Sequence, residues 1–198
     1  MNSFFTSDWH LGHFSLQRGI RGTVFSSLEE HDATIINNIF ETVKPGDNLY
    51  FLGDAFWKWD SKRVEEFMTN LKKHRINLHW ILGNHDKLSW TKFGCVKWVG
   101  QIKDITIEGQ PITLCHYPMI VWNRSHHGAW QLYGHIHMGD STYIKMREMS
   151  GTFEYIRGKQ VNVNVEFGEG FCPRSFEEIR EHMSLLPDNW DTIYKEES

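Results

Sequence analysis

Five short motifs of this sequence carry aspartate, asparagine and histidine side chains that could bind metal ions. They are Asp8-Trp9-His10, Gly53-Asp54, Gly83-Asn84-His85-Asp86, His116 and Gly134-His135-Ile136-His137. Carboxylate, amide oxygen and imidazole are ligands for ions such as Mn²⁺, Fe²⁺ and Zn²⁺. The set contains no cysteine, which argues against a purely structural zinc site. The motifs therefore predict a site for divalent ions that could do chemistry.

The spacing within two of these motifs predicts paired ligands. Asp8 and His10 are two residues apart, and so are His135 and His137. At an extended strand end, side chains two residues apart point to the same side. Two such pairs, with Asp54 placed to bridge, fit a centre of two metal ions about 3.5–4 Å apart.

Short apolar runs precede most of the motifs, and amphipathic segments separate them. The patterns predict strands at 4–6, 48–52 and 77–82, with helices at 27–43 and 61–73 between them. Ser26 or Ser27 could cap the first helix. This alternation is typical of an α/β fold, in which ligands bind at the carboxyl ends of the strands.

The second half of the chain is richer in predicted strands. Strands at 104–108 and 111–114 would form a hairpin around Gly109-Gln110, and a further strand covers 131–133. The alternating run QVNVNVEF predicts a half-exposed strand over 160–167. A closing helix over 175–186, capped by Ser175, precedes a polar tail from about 187. We expect a single domain over 1–198 with two packed β layers and helices outside.

Composition excludes several classes of protein. The 198 residues include 21 Lys and Arg against 25 Asp and Glu, a net charge of −4 that disfavours duplex nucleic acid as a partner. Cys95, Cys115 and Cys172 are widely spaced and odd in number, so we expect no disulfide framework. The expected compartment of the protein is therefore the reducing cytoplasm. We find no signal peptide and no apolar run of the ~20 residues that a membrane helix needs.

Taken in order, the five motifs resemble the signature of the calcineurin-like metallophosphoesterase superfamily: D-x-H, G-D, G-N-H-[DE], H and G-H-x-H. The match extends from residue 8 to residue 137. The resemblance implies a four-layer α-β-β-α sandwich of two mixed sheets, with the metal site at the strand carboxyl ends. Gly53-Asp54 is not followed by the Asp-Arg of the protein phosphatases, and the third motif ends in Asp86. The small single-domain enzymes of bacteria and phages are therefore the better match.

The resemblance also assigns roles to the motif residues. It implies two divalent ions, with Mn²⁺ favoured and Fe²⁺, Zn²⁺, Ni²⁺ or Co²⁺ as alternatives, and Asp54 as the ligand shared by both. His85 would face the scissile phosphate and Asp86 would orient it by a hydrogen bond. A hydroxide bridging the metal ions would attack phosphorus in line. The ligands implied are Asp8, His10, Asp54 and His137 for the first ion and Asp54, Asn84, His116 and His135 for the second.

The implied reaction is hydrolysis of a phosphodiester or phosphomonoester, with a nucleotide as candidate substrate. Aromatic residues near the motifs could stack on a base, although packing is the simpler interpretation for most of them. A nuclease acting on single-stranded or terminal nucleic acid is the alternative function. A binding scaffold without catalysis is a remote one, because no motif residue is missing. The sequence leaves the oligomeric state open. The expected substrate contacts are His13, Trp57, Trp122, Arg124 and His126.

Overall fold

The computed structural model describes residues 1–13, 20–137 and 158–192. Its strands are β1 (Ser3–Thr6), β2 (Asn48–Phe51), β3 (Asn77–Ile81), β4 (Val96–Gly100), β5 (Ile102–Ile107), β6 (Gln110–Cys115), β7 (Trp130–Tyr133), β8 (Gln160–Asn162) and β9 (Arg174–Ser175). Its α-helices are α1 (Ile20–Val24), α2 (Leu28–Thr42), α3 (Ser61–Lys73) and α4 (Phe176–Ser184). No helix within these ranges is long and apolar enough to cross a membrane.

The first sheet has the strand order β4-β3-β2-β1-β9, and its neighbours are parallel except for the antiparallel pair of β1 and β9. Alternate residues of β2, together with Leu52 directly after it, pack into two different cores. Leu49 and Phe51 pack with the apolar faces of α2 and α3, whereas Tyr50 and Leu52 pack towards the second sheet. This period of two is what a strand buried on both faces requires.

Helices α2 and α3 begin and end close to their predicted bounds because their local signals are strong. The side chain of Ser27 accepts a hydrogen bond from the amide of Glu30, and Asp60 caps α3 in the same way. The buried positions of α3 follow the spacing of one helix face, and they are Val64, Phe67, Met68 and Leu71.

The second sheet has the order β5-β6-β7-β8, with β5 antiparallel to β6 and the other pairs parallel. The hairpin turn consists of Glu108 and Gly109, both with positive φ, as a tight two-residue turn requires. The sequence-based prediction placed this turn one residue too late, because Gln110 already pairs with Ile107.

A second core fills the space between the two sheets. Phe5 and Ile81 of the first sheet meet Ile112 and Leu132 of the second, and Phe176 of α4 joins them. The two sheets are thereby fixed so that the carboxyl ends of β1, β2, β3, β6 and β7 lie at one edge. The predicted α/β architecture of two mixed sheets flanked by helices is confirmed.

The predicted half-exposed strand over 160–167 is wrong. Strand β8 ends at Asn162, and a 3₁₀ turn at Val165–Phe167 follows. Asn164 is fully buried, and its backbone forms an isolated parallel β-bridge with Ser7. Its side-chain oxygen accepts a hydrogen bond from the amide of Glu166. The polar residues of the alternating run thus bind backbone groups and buried partners rather than water.

Strand β4, helix α1 and strand β9 were not predicted, because short elements carry little periodicity.

The polar tail expected from residue 187 packs against the rest of the protein at its first residues. Asn189 is buried and donates hydrogen bonds to the carbonyls of Ser125 and Ala129. The remainder of that tail, 193–198, lies outside the described residues.

Candidate metal centre

The five motifs meet at the shared edge of the two sheets, each just after a strand. Two groups of ligand atoms lie there within 4.8 Å of one another: those of Asp8, His10 and His137, and those of Asp8, Asp54 and His116. We call these the first and the second cluster. The structure therefore brings together residues from four of the five motifs in a single pair of clusters, and Asn84 of the remaining motif, the third, lies within 3.1 Å of His116.

The first cluster has the geometry of ligands around an ion. Asp8 Oδ1 lies 3.7 Å from His10 Nε2 and 3.7 Å from His137 Nε2. These distances are too long for hydrogen bonds, but two atoms on one ion, each about 2.1 Å from it, lie within about 4.2 Å of each other. Asp8 Oδ1 and both ring nitrogens of His10 are buried without a hydrogen-bond partner. Unsatisfied buried polar atoms are rare, so this cluster fits a cation.

The second cluster centres on His116. Its Nδ1 donates to the carbonyl of Leu52 at 2.6 Å, so the lone pair of Nε2 faces the cluster. That Nε2 lies 3.6 Å from Asp54 Oδ2 and 3.1 Å from Asn84 Oδ1. His135 is adjacent, its ring centroid 5.1 Å from that of His116, but its ring nitrogens are not part of either cluster.

Three motif glycines allow the strand ends to approach closely. A Cβ atom at Gly83 would lie 2.2 Å from Asp54 Oδ1, and one at Gly134 would lie 2.5 Å from Asp8 Oδ2. Gly53 has a φ of +94°, and a Cβ there would lie 2.5 Å from the amide nitrogen of Gly83. Any larger residue at these positions would displace the two aspartates.

Four of the predicted ligands adopt left-handed backbone conformations. Asp8, His10, Asp54 and His135 have φ values of 56°, 46°, 63° and 68°. Residues with side chains rarely adopt such angles, and strained residues of this kind concentrate at functional sites. Backbone hydrogen bonds to neighbouring strand ends hold two of them, from Asp8 N to Gly53 O and from His10 N to Asp54 O.

Burial and neighbouring groups set the protonation of the cluster. Burial lowers the pKa of His10 to about 4, so its imidazole is neutral and available as a ligand. Burial alone would raise the pKa of Asp8, but His10 and His137 hold it well below its usual range. Burial also raises the pKa of Asp54 and lowers that of His135.

The expectation that Asp86 orients His85 is wrong. The carboxylate of Asp86 accepts hydrogen bonds of 2.9–3.0 Å from three backbone amides and the indole of Trp80, and none from His85. Those amides belong to Asp54, Ala55 and Gly83. Asp86 therefore holds the loop that carries Asp54.

His85 lies at the mouth of the site. Its amide donates to Asp54 Oδ1 at 2.9 Å, and its Nε2 is 4.0 Å from Asp54 Oδ2. Its side chain is 37% exposed, whereas those of Asp54, His10 and Asp8 are 3%, 5% and 0% exposed. The partly exposed imidazole of His85, beside the buried carboxylate of Asp54, can therefore contact a molecule bound at the site.

Two of the expected substrate contacts, His13 and Trp57, lie at this mouth. Their rings stack with centroids 4.0 Å apart, and the ring of Trp57 lies 4.4 Å from that of His85. Burial, with His85 contributing, lowers the pKa of His13 to about 4. The pair therefore forms a neutral aromatic wall next to His85.

The structure does not bring the other expected substrate contacts, Trp122, Arg124 and His126, to this mouth. All three lie on the connection from β6 to β7, and because these strands are parallel, that connection returns to the opposite edge of the sheet. Trp122 is buried and donates to the carbonyl of Ala129. Gln110, the first residue of β6, binds the carbonyl of Gly128 in the same connection. Of the three, only Trp122 is buried against the far end of the sheet, and Arg124 is exposed.

Sequence reasoning missed a buried ion pair behind the first cluster. Arg21 Nε donates to Glu166 Oε1 at 2.7 Å, and the same oxygen lies 2.8 Å from His137 Nδ1. Burial would raise the pKa of Glu166, but His137 and Arg21 lower it below its usual value. The one available signal was an isolated glutamate in an alternating apolar run. Tyr117, whose hydroxyl lies 3.4 Å from Asn84 Oδ1, was also missed.

The sequence and the fold of this chain are similar to those of known proteins. A family model for calcineurin-like phosphoesterases matches residues 1–148. The chain therefore belongs to the calcineurin-like phosphoesterase family, and it is a metal-dependent phosphoesterase.

Two relatives extend this similarity. MJ1445, an uncharacterized protein of Methanocaldococcus jannaschii, is 27% identical over 168 residues, which cover 82% of this chain and 87% of that protein. The crystal structure of AQ665, a protein of unknown function from Aquifex aeolicus, matches with a TM-score of 0.66 and 24% identity. The match covers 91% of this chain and 98% of that one, so the two share the fold.

Proposed function

We propose that this protein hydrolyses a phosphodiester or a phosphomonoester at a centre of two divalent ions, with a nucleotide as its substrate. One carboxylate oxygen carries the proposal. Asp54 Oδ2 lies 3.7 Å from His10 Nε2 and 3.6 Å from His116 Nε2, so it can serve both clusters. A shared carboxylate is the arrangement that a pair of closely spaced ions requires.

The residues divide into two ligand sets around Asp54. When bound, the ions neutralise charge on the phosphate and make water a better nucleophile at neutral pH. Mn²⁺ suits the mixture of oxygen and imidazole ligands, and Fe²⁺, Zn²⁺, Ni²⁺ and Co²⁺ are alternatives. The first set is Asp8, His10, Asp54 and His137, and the second is Asp54, Asn84, His116 and His135.

His85 would serve the leaving group. Its exposed ring lies beside the shared carboxylate, and its amide hydrogen bond to Asp54 Oδ1 fixes the residue in place. An imidazolium at this position can donate a proton to the departing oxygen. Asp86 supports the reaction indirectly, through the loop of Asp54.

The wall formed by His13 and Trp57 supports a substrate with an aromatic ring. Trp57 is half-buried and lies beside His85. A base can stack on such a surface, and this supports a nucleotide. The same observation favours a second candidate, a nuclease acting on single-stranded or terminal nucleic acid. Duplex nucleic acid is not an expected partner, and we expect the protein to act in the cytoplasm.

The test is a screen of the Mn²⁺-loaded protein against cyclic nucleotides, nucleotide monoesters, dinucleotides and oligonucleotides. Hydrolysis confined to the smaller compounds favours the first candidate, and cleavage of oligonucleotides favours the second. Trp57→Ala should raise KM for nucleotides but not for phosphate esters that carry no aromatic ring. Full activity after removal of all metal would overturn the proposed centre.

A further inference from the structure

The ion pair of Arg21 and Glu166 is almost completely inaccessible to water. Their side chains are 1% and 2% exposed. Burial of two opposite charges is favourable only when further hydrogen bonds satisfy them. The additional partners of this pair therefore indicate what it does.

Arg21 binds the backbone of the first motif. Its Nη1 donates to the carbonyl of Trp9 at 2.9 Å, and its Nη2 donates to the carbonyl of Asp8. Asp8 and His10, on either side of Trp9, both have positive φ. The guanidinium thus binds two consecutive backbone carbonyls in the strained segment that carries Asp8 and His10.

A further hydrogen bond anchors Arg21 itself. His31 Nε2 accepts from Arg21 Nη1 at 2.9 Å, and His31 Nδ1 lies 3.0 Å from Asp32 Oδ1. Asp32 also accepts the amide hydrogen of Gly12 and the indole hydrogen of Trp59. The guanidinium is fixed by helix α2 as well as by Glu166.

Glu166 determines the orientation of a ligand. Because its carboxylate can only accept, the proton of His137 lies on Nδ1 and the lone pair lies on Nε2. That Nε2 faces Asp8 Oδ1 across 3.7 Å. Asn164 fixes the backbone of Glu166 through the amide hydrogen bond at 3.0 Å. Glu166 lies beyond residues 1–148, which the family model matches.

The second cluster is built differently. The ring of His116 is oriented by a backbone carbonyl, that of Leu52. Asp8, whose carbonyl Arg21 binds, supplies ligand atoms to both clusters, whereas His137, which Glu166 contacts, belongs to the first cluster alone. A change at Glu166 should therefore act on the first ion, through His137, and leave the second unaffected.

We propose that Arg21 and Glu166 are positioning residues for the first metal ion, acting through the backbone of Asp8 and the ring of His137. The inference rests on the two-ion centre proposed above. Partners of this kind fix the orientation of a ligating histidine and raise its basicity. Their loss typically lowers metal affinity by about 10–100-fold.

The experiment measures binding of Mn²⁺ alone to the metal-free full chain by titration calorimetry. Glu166→Gln should weaken one of two sites by about 10-fold or more, and Glu166→Ala should weaken it further because the acceptor is lost. Arg21→Lys tests the other half of the pair. Glu169→Gln is the matched control, since Glu169 is exposed and three residues away. Thermal unfolding without metal reports any loss of stability separately.

A double-mutant comparison identifies the affected site. In an Asn84→Ala background the remaining strong site is the first, and Glu166→Gln should weaken it as in the wild type. In a His10→Ala background the remaining site is the second, and Glu166→Gln should leave it unchanged. A purely structural role would weaken both sites equally.

Three results would overturn the inference. If the wild type binds two ions and both glutamate variants bind them as tightly, the ion pair does not position the site. If Glu166→Gln weakens both sites by the same factor, its role is structural. If the wild type binds fewer than two Mn²⁺ ions, the two-ion centre itself is wrong, and the inference is wrong with it.

Discussion

Replacement of Gly83 by alanine tests the close approach on which the shared carboxylate depends. The new Cβ would lie 2.2 Å from Asp54 Oδ1, 2.8 Å from Asp54 N and 2.9 Å from Asp54 Cγ. Two of these atoms belong to one carboxylate and one to the backbone, so no flexible side-chain end can give way. Gly83 has no positive φ, and the substitution therefore adds a clash without adding backbone strain.

The expected effect follows from the size of the clash. Ordinary contacts of a Cβ begin at 3.4 Å, and Asp54 Oδ1 would lie only 2.2 Å from the new Cβ. The carboxylate of Asp54 must therefore move away by about 1 Å. A displacement of about 1 Å at a reacting centre can lower the rate by about 100-fold. Because Asp54 Oδ2 serves both clusters, the affinities of both ions should fall together.

The assay combines Mn²⁺ titration with single-turnover hydrolysis of bis(p-nitrophenyl) phosphate. Gly94→Ala is the control, since its Cβ would meet only the flexible end of Lys72, at 3.7 Å, on an exposed segment. We expect this control to behave as the wild type does. If Gly83→Ala binds both ions with wild-type affinity and retains full activity, Asp54 does not serve both clusters in the way proposed.

Three further predictions concern single side chains. His85→Ala should keep both ions but slow the chemical step by about 10²–10⁴-fold, measured in single turnover; loss of the ions would mean that His85 is a ligand. Asp86→Ala leaves four donors without their acceptor and should lower the free energy of unfolding of the metal-free protein by about 3 kcal/mol, measured in urea. An unchanged urea midpoint would contradict its support of the loop. Burial, with Lys103 and Lys97 contributing, lowers the pKa of His79 to about 4, below about 6.5 in the unfolded chain. Neutral His79 therefore contributes stability above pH 6.5 that is lost as the pH falls towards 4, with a slope of at most about 1.4 kcal/mol per pH unit. His79→Gln should flatten this part of the urea-midpoint profile, and an unchanged slope would show that His79 is not its source.

The elements and the candidate ligands could be recognised because their signals are local. Helix α3 follows from a capping residue and one apolar face, and the motifs follow from polar residues that end buried strands. Strand β2 and the candidate ligand Asp54 belong to the same short stretch of sequence. Nothing distant is needed to recognise either of them.

The errors concern residues whose partners are distant in sequence. Arg124 lies on the far side because β6 and β7 are parallel, and a loop sequence does not reveal which edge it returns to. Asp86 binds amides some 31 residues earlier, and Glu166 lies 145 residues from Arg21. Such pairings depend on which strands are neighbours and in which direction they run, and on how distant segments pack, none of which periodicity encodes.

The left-handed conformations of Asp8, His10, Asp54 and His135 restrict how this protein can be stabilised. Each such residue costs on the order of 1–3 kcal/mol, which is a substantial part of the 5–15 kcal/mol that typically separates folded from unfolded chains. Glycine would relieve the strain at any of the four positions, but it would remove the side chain that the site needs. Adaptation to higher temperature must therefore come from elsewhere in the chain. Metal supply adds to stability by mass action, so the thermal midpoint of this protein should depend on the concentration of free metal ions around it.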